Sequence, residues 1–576
     1  MFKSRLTVVY LGLCLASITV CVLGQLPEDD ELVACAAYSG CFKGTYMEGF
    51  QSQQFLAFMG IPYAIPPLGD LRFGSPRRAG RNPDTVDATK PKPDCIRKEY
   101  LSAQPVISGD EDCLYLNVYR PMPLSEELLP VMVYIHGGGF IGGSAGPSVS
   151  GPEYFMDSQA VVLVTVSYRV GVLGYLSTGD ENMPGNYGLK DQLLALKWVR
   201  DNIHGFGGDY DEVTLFGHGI DGVATHLHLL NRNSAGLFRK VISMSGTANV
   251  PIAINRKPLE QARKVAELCG IDNADTINTV ELTDALKTVD LETLINAEDG
   301  FKYFGADPLY VFRPVIEENV QGAFLIEEPV DAIEYGHYQK VPWLLGTVET
   351  EGALRTININ ENPYLRDQLN SNFSNILKQL VEFPSQFNEQ QKNDRTELLI
   401  KQYLNEIHAL GPQTIYGFLN IMTDRHFKHP LYTAVRDYVR SGENRVLMYN
   451  FNYKGPVSYA SVYAKANPSR DYGVVHGDDL IYLFRSPRFF PDFSKDSKEA
   501  KLITQFVAYF VEFARNGAIH NQPALSPCSA NIFGNPPDGF CEYHSFENDD
   551  GENGFKVVVK DQFHTNRVQY WLYLLE

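Results

Sequence analysis

The segment Gly217-His218-Gly219-Ile220-Asp221 has the form of a turn that positions a catalytic side chain, yet it lacks that side chain. An apolar run before it, Val213 to Phe216, predicts a buried strand, and Gly222 to Leu230 after it predicts a helix. A sharp strand-to-helix turn with the sequence Gly-x-Ser-x-Gly holds a nucleophilic serine above a sheet. Here Gly219 occupies the serine position and Asp221 the position of the last glycine. The pattern therefore predicts a nucleophile turn without a nucleophile.

A run of glycines follows another apolar segment. Val131 to Ile135 predicts a strand, and His136-Gly137-Gly138-Gly139-Phe140, here called the glycine loop, comes directly after it. Backbone N–H groups in such a loop can converge on a developing oxyanion, because no side chains obstruct them. The alternative interpretation is a merely flexible loop. The run also fits Gly-x-Gly-x-x-Gly as far as Gly142, but no helix evidently follows at once, so we expect no dinucleotide.

The pattern Gly-x-Ser-x-Gly does occur once, at Gly142-Gly143-Ser144-Ala145-Gly146. It belongs to the loop after the glycine loop and not to a strand-turn-helix. Ser144 therefore lacks the context that would expose it as a nucleophile.

Candidate acids and a candidate base lie farther along the chain. Trp343 to Thr347 predicts a strand, and Glu349 and Glu351 follow it. His476 stands in the glycine-flanked segment Gly473 to Asp479. The order of nucleophile, acid and histidine is that of hydrolases with a strand-to-helix nucleophile turn. A lone histidine is usually structural, but this order favours a former catalytic base.

The elements around these residues predict a large α/β fold. Short apolar runs alternate with helical segments from about Phe55 to Phe216, and the helix predicted over Gly188 to Asn202 turns its apolar side inward. This rhythm is typical of a mostly parallel sheet covered on both faces. The remaining predicted elements are strands at Val161–Val166, Lys240–Met244, Val446–Phe451 and Lys556–Lys560, helices within Lys257–Glu298 and at Lys498–Arg515, and polar cap helices within Asn360–Tyr416. With no repeat or linker, residues 25–576 are expected to form one domain.

The amino terminus and the charge limit the function classes. Residues 1–24 have a basic start and an apolar stretch typical of a cleaved signal peptide, the alternative being an uncleaved anchor. No other apolar run approaches the ~18 to 20 residues of a membrane span. The formal charge of −19 becomes −21 when Lys3 and Arg5 leave with the signal. Such an acidic surface repels nucleic acid, so we expect an exported protein that binds neither nucleic acid nor membrane.

Seven cysteines remain after the predicted cleavage. Spacing in an oxidising compartment favours three local pairs, namely Cys35 with Cys41, Cys95 with Cys113, and Cys528 with Cys541. Cys269 is then unpaired, and a buried position on a helix is favoured over an intermolecular disulfide. The spacing supports no zinc site, so we expect no metal. The sequon Asn372-Phe373-Ser374 predicts glycosylation at Asn372.

Seven segments of the chain together form a highly specific sequence signature of one protein family. They are Gly60–Ala64, Pro66–Phe73, Glu111–Val118, the glycine loop, Asn186–Gln192, Phe206–Asp209 and His476–Asp479. On these residues the chain resembles the carboxylesterase and cholinesterase family (type-B carboxylesterases), as an insect-type secreted member with a degenerate nucleophile turn. The resemblance covers nearly all of the mature sequence and implies the α/β-hydrolase fold. The tryptophan that cholinesterases use for a quaternary ammonium has no counterpart between Cys95 and Cys113, so a cholinesterase is not expected.

The resemblance also implies the roles of individual residues. It places a catalytic triad at residue 219, Glu351 and His476, and a disulfide between Cys95 and Cys113. It implies an oxyanion hole formed by the N–H groups of three residues, which are Gly138, Gly139 and Ile220. The family's turn reads Gly-Glu-Ser-Ala-Gly, so this chain departs at four of the five positions.

Two functions follow as hypotheses. The first is a secreted, non-catalytic esterase relative that binds an extracellular protein or an apolar ester-like ligand, without a cofactor. The second is a carboxylic ester hydrolase with weak or unconventional activity, in which His476 activates water. An assembled pair of Glu351 and His476 over an open pocket would favour ligand binding. A pocket filled by His218 or Asp221 would favour surface recognition.

Overall fold

The computed structural model describes residues 32–100, 105–441, 445–527, 540–560, 563 and 565–575. The predicted signal peptide, residues 1–24, lies outside these ranges, and so does Cys528.

A single large sheet contains eleven strands of the described chain, numbered β1 to β11 in chain order. They are β1 Thr45–Glu48, β2 Gln54–Pro62, β3 Tyr115–Pro121, β4 Leu129–Ile135, β5 Val162–Val166, β6 Gly208–His218, β7 Lys240–Met244, β8 Trp343–Val348, β9 Val446–Asn452, β10 Tyr543–Asn548 and β11 Phe555–Lys560. Their order across the sheet is β11-β10-β9-β8-β7-β6-β4-β5-β3-β2-β1. The block from β10 to β5 is parallel, and β11, β3, β2 and β1 are added antiparallel at the two edges. The predicted mostly parallel sheet is confirmed.

Helices connect these strands and cover the sheet. The α-helices of the described residues are Glu153–Asp157, Gly171–Tyr175, Tyr187–Asn202, Ile220–Leu230, Pro258–Leu268, Thr279–Thr288, Leu291–Asn296, Pro329–Glu334, Ala353–Glu361, Pro363–Ser371, Phe373–Val381, Glu389–Leu404, Ile415–Thr423, His429–Ser441, Ala460–Ala464, Lys498–Asn516 and Thr565–Leu575. Shorter helical turns are Gly69–Leu71, Ile203–Phe206, Arg232–Ser234, Ala297–Phe301, Asp424–Lys428 and Leu480–Tyr482. Small strands outside the main sheet are Val33–Ala36, Gly40–Lys43, Val86–Asp87, Arg97–Lys98, Ile107–Ser108, Ser526–Pro527 and Phe540–Cys541.

Alternating side chains of the central strands form two separate apolar layers. In β4, Val131 and Val133 pack on one face of the sheet, while Met132 and Tyr134 pack on the other. The first layer includes residues of the helix Tyr187–Asn202, and the second includes residues of the helix Lys498–Asn516. A parallel sheet covered on both faces needs apolar residues at successive positions, and β4 and β5 have them.

A third apolar cluster lies within the cap. The helices between Ala353 and Thr423 bury their apolar sides against one another and against Val475. This agrees with the predicted cap insertions. Because Val475 precedes His476, the cap cluster also fixes the loop that carries the candidate base.

Strand order brings the candidate residues to one edge of the sheet. The strand β6 pairs with β4 on one side and β7 on the other, so the segments that follow β4 and β6 emerge side by side. Glu351 follows β8, which pairs with β7. A bridge between Thr350 and Val475 then joins the His476 loop to this edge. The carboxyl ends of parallel strands form the usual ligand-binding edge of an open α/β sheet.

Two predicted disulfides are confirmed, Cys35–Cys41 and Cys95–Cys113. The pair Cys528 with Cys541 stays a prediction because Cys528 is not described. The expectation for Cys269 was wrong in detail: this free cysteine caps the helix Pro258–Leu268 at its end and is only partly buried.

Several surface and scaffold expectations can also be placed. Asn372 of the predicted glycosylation site is exposed, and its modification stays a prediction. Trp198, Trp343 and Trp571 are all buried. In the described part of the chain, no helix has the length and apolar character needed to cross a bilayer.

Candidate functional site

The turn Gly217–Asp221 is a sharp strand-to-helix turn. Strand β6 ends at His218, and the helix Ile220–Leu230 begins two residues later. Gly219 between them has φ 65° and ψ −129°, a backbone conformation that favours glycine. Its N–H donates to the Met244 carbonyl at 2.8 Å, which ties the turn to the end of β7. Gly219, which the sequence predicts at the nucleophile position, is therefore held in a sharp strand-to-helix turn and has no hydroxyl.

His476 and Glu351 form a hydrogen-bonded pair next to this turn. Nδ1 of His476 lies 2.6 Å from Oε2 of Glu351. The other carboxylate oxygen accepts from the Thr347 hydroxyl at 3.0 Å and from the Val348 N–H at 2.9 Å. Burial raises the pKa of Glu351, but its hydrogen bond to His476 and nearby positive charges outweigh this effect and lower the pKa to about 2. Glu351 is therefore an ionised acceptor that keeps the proton of His476 on Nδ1.

The other ring nitrogen of His476 is directed at Gly219. A Cβ atom built on Gly219 would lie 3.0 Å from Nε2 and 3.4 Å from Cε1. Burial lowers the pKa of His476, and the neighbouring ring of His218 lowers it further. In the neutral ring with a proton on Nδ1, Nε2 is a hydrogen-bond acceptor. Its lone pair therefore faces the space that a side chain at residue 219 would occupy.

Gly138 and Gly139 of the glycine loop lie so close to other groups that neither position has room for a side chain. A Cβ on Gly138 would lie 2.3 Å from the Gly142 carbonyl oxygen, and one on Gly139 would lie 2.5 Å from the ring of Tyr310. Both glycines have positive φ values, 148° and 75°. Gly138, Gly139 and Ile220 line the same cavity as His476. The three residues expected to supply oxyanion donors are thus brought together.

His218 and Asp221, the altered neighbours of Gly219, are held by different partners. His218 Nε2 lies 3.4 Å from Oδ1 of Asp479, and its ring centre lies 4.6 Å from that of His476. Asp221 is fully buried and accepts a hydrogen bond from the hydroxyl of Tyr168. His218 contributes to the cavity wall, whereas Asp221 lines neither cavity described below. Neither residue fills the space above Gly219.

The carboxyl group of Asp221 is in an unfavourable environment for a charge. Burial raises its pKa well above the ordinary value, and hydrogen bonding to Tyr168 and the Gly139 N–H opposes this only in part. Its Oδ2 has no hydrogen-bond partner among the described residues. A carboxyl group that ionises in the unfolded chain but stays protonated in the folded one lowers stability as the pH rises above about 4.

We expect Asp221→Asn to be more stable than the unmodified chain at pH 7. The amide keeps an acceptor for Tyr168 and does not titrate. The gain in stability is therefore absent below the pKa of Asp221 in the unfolded chain, and it grows as the pH rises above that pKa. Thermal unfolding at pH 4 and pH 7 checks this, with an expected rise in Tm of at least about 2 °C at pH 7 only. The exposed Asp84→Asn is the control and should change Tm little at either pH. A gain at pH 4 equal to that at pH 7 would contradict the explanation.

Two cavities meet at Gly219. The main cavity extends along the glycine loop, and the much smaller side cavity extends under the cap. Five residues line both, namely Gly219, Ile220, Tyr310, Leu354 and His476. The walls of the side cavity are mostly apolar, as is typical of small-molecule sites. The Glu351–His476 pair is therefore assembled over open space.

The other candidates from sequence are also located. The hydroxyl of Ser144 donates to Asp94 at 2.6 Å and accepts from the Gly146 N–H at 3.0 Å, so Asp94 and its own loop both engage it. Among the described residues, no group of three or more His, Cys, Asp or Glu side chains is arranged to hold a metal ion.

Sequence reasoning missed many residues of the cavity walls, among them Tyr310, Leu354 and Ser245. Tyr310 and Leu354 come from segments without a recognisable motif. Ser245 follows β7 directly, and its hydroxyl is buried without a hydrogen-bond partner among the described residues. Its place after a strand of the parallel block was the one signal that could have identified it.

Comparison with known proteins gives a consistent result. The model of the carboxylesterase family matches residues 30–558. Juvenile hormone esterase of Tribolium castaneum is 38% identical over 81% of this chain and 80% of its own length. Venom carboxylesterase-6 of Apis mellifera is 32% identical over 87% of this chain and 89% of its own length.

A solved structure agrees over nearly the whole chain. The crystal structure of juvenile hormone esterase from Manduca sexta, with OTFP covalently attached, superposes with a TM-score of 0.80 at 25% identity. The match covers 94% of this chain and 99% of that one. The fold is therefore that of the α/β-hydrolases, and the chain belongs to the carboxylesterase family.

Proposed function

We propose that this chain is a non-catalytic carboxylesterase relative that binds an apolar, ester-like ligand in the two cavities that meet at Gly219. The observation that carries the proposal is the position of Gly219 itself. It lies at the nucleophile position, 3.0 Å from His476 Nε2 when measured from a Cβ built on it, and it has no atom that can attack. The two cavities that Gly219 lines are suited to holding a ligand.

The missing hydroxyl removes covalent catalysis. In a serine hydrolase the histidine takes the hydroxyl proton while the oxygen attacks the carbonyl carbon and forms an acyl-enzyme. Without the hydroxyl, no acyl-enzyme can form at residue 219. When triad residues are removed from such enzymes, the oxyanion donors and substrate binding alone still accelerate the reaction roughly 10³- to 10⁴-fold over the uncatalysed rate. That residual rate is far below useful turnover.

The cavities support a small ligand over a protein partner. Pockets for small molecules are usually concave, mostly apolar, and equipped with a few polar groups. The side cavity has such walls, and the N–H groups of the glycine loop stand at the main cavity. Two relatives are named for juvenile hormone, which is therefore a candidate ligand here. An extracellular protein partner has no comparable feature in its favour.

An extracellular location is part of the proposal. Two disulfides among the described residues are typical of an oxidising compartment. The signal peptide expected from residues 1–24 and the acidic net charge of −19 fit the same location.

A second candidate function is weak hydrolysis by water. The specific observation in its favour is the 2.6 Å contact between His476 and Glu351, which keeps a neutral imidazole ready to accept a proton. In this mechanism His476 takes a proton from water, and the water oxygen attacks the ester carbonyl directly. The same N–H groups would then stabilise the oxyanion.

An activated aryl ester and a serine-directed phosphonate test the proposed function. We expect no covalent adduct by intact-protein mass spectrometry and a turnover unchanged, within about twofold, by His476→Ala. An active carboxylesterase serves as the positive control for both reagents. Labelling of this chain would overturn the non-catalytic assignment. Turnover that His476→Ala abolishes would favour the water mechanism instead.

A further inference from the structure

We propose that the cavity selects apolar ligands that carry a hydroxyl group, whose oxygen lies above Gly219 and donates a hydrogen bond to Nε2 of His476. This inference rests on the proposed function and names the class of ligand more closely. The ligand supplies the hydroxyl that the chain lacks. A secondary alcohol, with apolar groups on both sides of the hydroxyl, fits the site best.

His476 directs a hydrogen-bond acceptor, its Nε2 atom, at the space above Gly219. The N–H at Nδ1 of His476 donates to the buried Glu351 carboxylate at 2.6 Å, which leaves Nε2 with a free lone pair. Within the described part of the chain, no hydrogen bond engages Nε2. The imidazole also stands closer to Gly219 than it could to a side chain, since a Cβ would be 3.0 Å away. An acceptor is therefore aimed at a small space open to both cavities.

An ester cannot satisfy this acceptor. Both oxygens of an ester accept hydrogen bonds and neither donates. The carbonyl oxygen suits the N–H groups of Gly138, Gly139 and Ile220, but it offers nothing to Nε2. Leaving a buried acceptor without a donor costs about 1 to 3 kcal/mol. A hydroxyl group supplies the missing donor and keeps two lone pairs for other donors.

A second polar group close to the turn strengthens this argument. Ser245 is 3% exposed, and its hydroxyl has no hydrogen-bond partner among the described residues. It lines the side cavity together with Gly219 and His476. Buried hydroxyls normally have partners. A ligand hydroxyl entering the side cavity offers Ser245 a hydrogen-bond partner.

The shape of the site places the hydroxyl in the middle of the ligand. Gly219 and His476 stand where the main and side cavities join, so a group bound there has apolar space on both sides. The main cavity holds most of the open space and takes the longer substituent, while the side cavity takes only a short one. A terminal hydroxyl would leave one of the two cavities without ligand.

Three ligands with the same carbon chain test the inference: a long-chain secondary alcohol, its methyl ether and the corresponding ketone. Isothermal titration should give a Kd for the alcohol roughly tenfold lower than for the ether and the ketone, because a site built to bond a hydroxyl discriminates against analogues without one. Equal affinities for the three would overturn the inference and leave the proposed function standing. Failure of all three to bind would contradict both.

Two variants identify the group responsible. His476→Leu removes the acceptor, and Gly219→Ala fills the space in front of it, so each should abolish the preference for the alcohol. Circular dichroism and Tm show whether each variant folds, and His476→Leu suffices if Gly219→Ala does not. A preference that survives in His476→Leu would overturn the inference.

Discussion

Changing Gly219 to serine alone is expected to leave esterase activity within about tenfold of the unmodified chain. The triple change Gly219→Ser, Ile220→Ala and Asp221→Gly is expected to raise activity by roughly 10³-fold or more, since a working triad contributes about 10⁶. Both variants are compared by the turnover of an activated aryl ester and by covalent labelling with a serine-directed phosphonate.

The single change is expected to fail for geometric reasons. Any side chain at residue 219 adopts a φ of 65°, which costs about 1 to 3 kcal/mol. Its Cβ would lie 3.0 Å from His476 Nε2, so the imidazole must move by a few tenths of an ångström away from the serine it should activate. That movement strains the 2.6 Å contact with Glu351.

The two neighbouring changes remove the other obstacles. Asp221 places a fully buried carboxyl group in the first turn of the helix Ile220–Leu230, where the turn of the family has a glycine. Ile220 puts a branched side chain into the cavity wall beside the third donor. The smaller residues of Ile220→Ala and Asp221→Gly free the loop to adjust to a serine at residue 219.

A control separates triad catalysis from other gains in the triple variant. Adding His476→Ala to it should return turnover to the level of the unmodified chain, because serine then has no base. A single Gly219→Ser variant as active as the triple variant would show that Ile220 and Asp221 do not matter. Equal, low activity of both variants would show that the rest of the site is not competent.

Blocking the junction of the cavities is expected to abolish ligand binding. Leu354, on the helix Ala353–Glu361, lines both cavities and is only partly buried, so a larger side chain there has room to extend into them. Leu354→Trp should raise the Kd for an apolar ligand by at least about 100-fold, because the indole occupies the volume in which most of the ligand surface is buried. Isothermal titration with the secondary alcohol measures the change.

The matched control is the same substitution at an exposed leucine. Leu398, on the helix Glu389–Leu404, is 40% exposed and lines neither cavity. Leu398→Trp should leave the Kd within about twofold. Unchanged binding in Leu354→Trp would place the ligand elsewhere on the molecule.

Much of the fold was predictable because the pattern of apolar residues in a segment agrees with the place of that segment in the sheet. The run Lys240 to Met244 is apolar on both sides, as a central parallel strand must be, and its predicted bounds match β7. The strand that carries the turn was predicted too short, since β6 begins at Gly208. Its first residues are polar and partly exposed, and they extend the strand beyond the apolar run. The strand-to-helix turn at Gly219 was identifiable because the apolar run before it and the helical pattern after it are both clear in the sequence.

The parts that could not be predicted depend on contacts between distant segments. The partner of Asp221 is Tyr168, 53 residues earlier, and nothing in the spacing of the two indicates a hydrogen bond. The pairing of Glu351 with His476 spans 125 residues and followed only from the expected order of a triad. The cavities themselves are formed by loops and cap helices whose polar patterns resemble ordinary surface segments.

The most direct test of the account is the fate of a bound apolar ester. The chain, at a concentration above the Kd, is equilibrated with an ester labelled in its acyl group, and the bound fraction is extracted and identified by mass spectrometry. We expect the unmodified chain to bind one molecule of ester, which is recovered intact. We expect Leu354→Trp to retain no ester. Release of labelled acid over many turnovers, or no retention by the unmodified chain, would contradict the account.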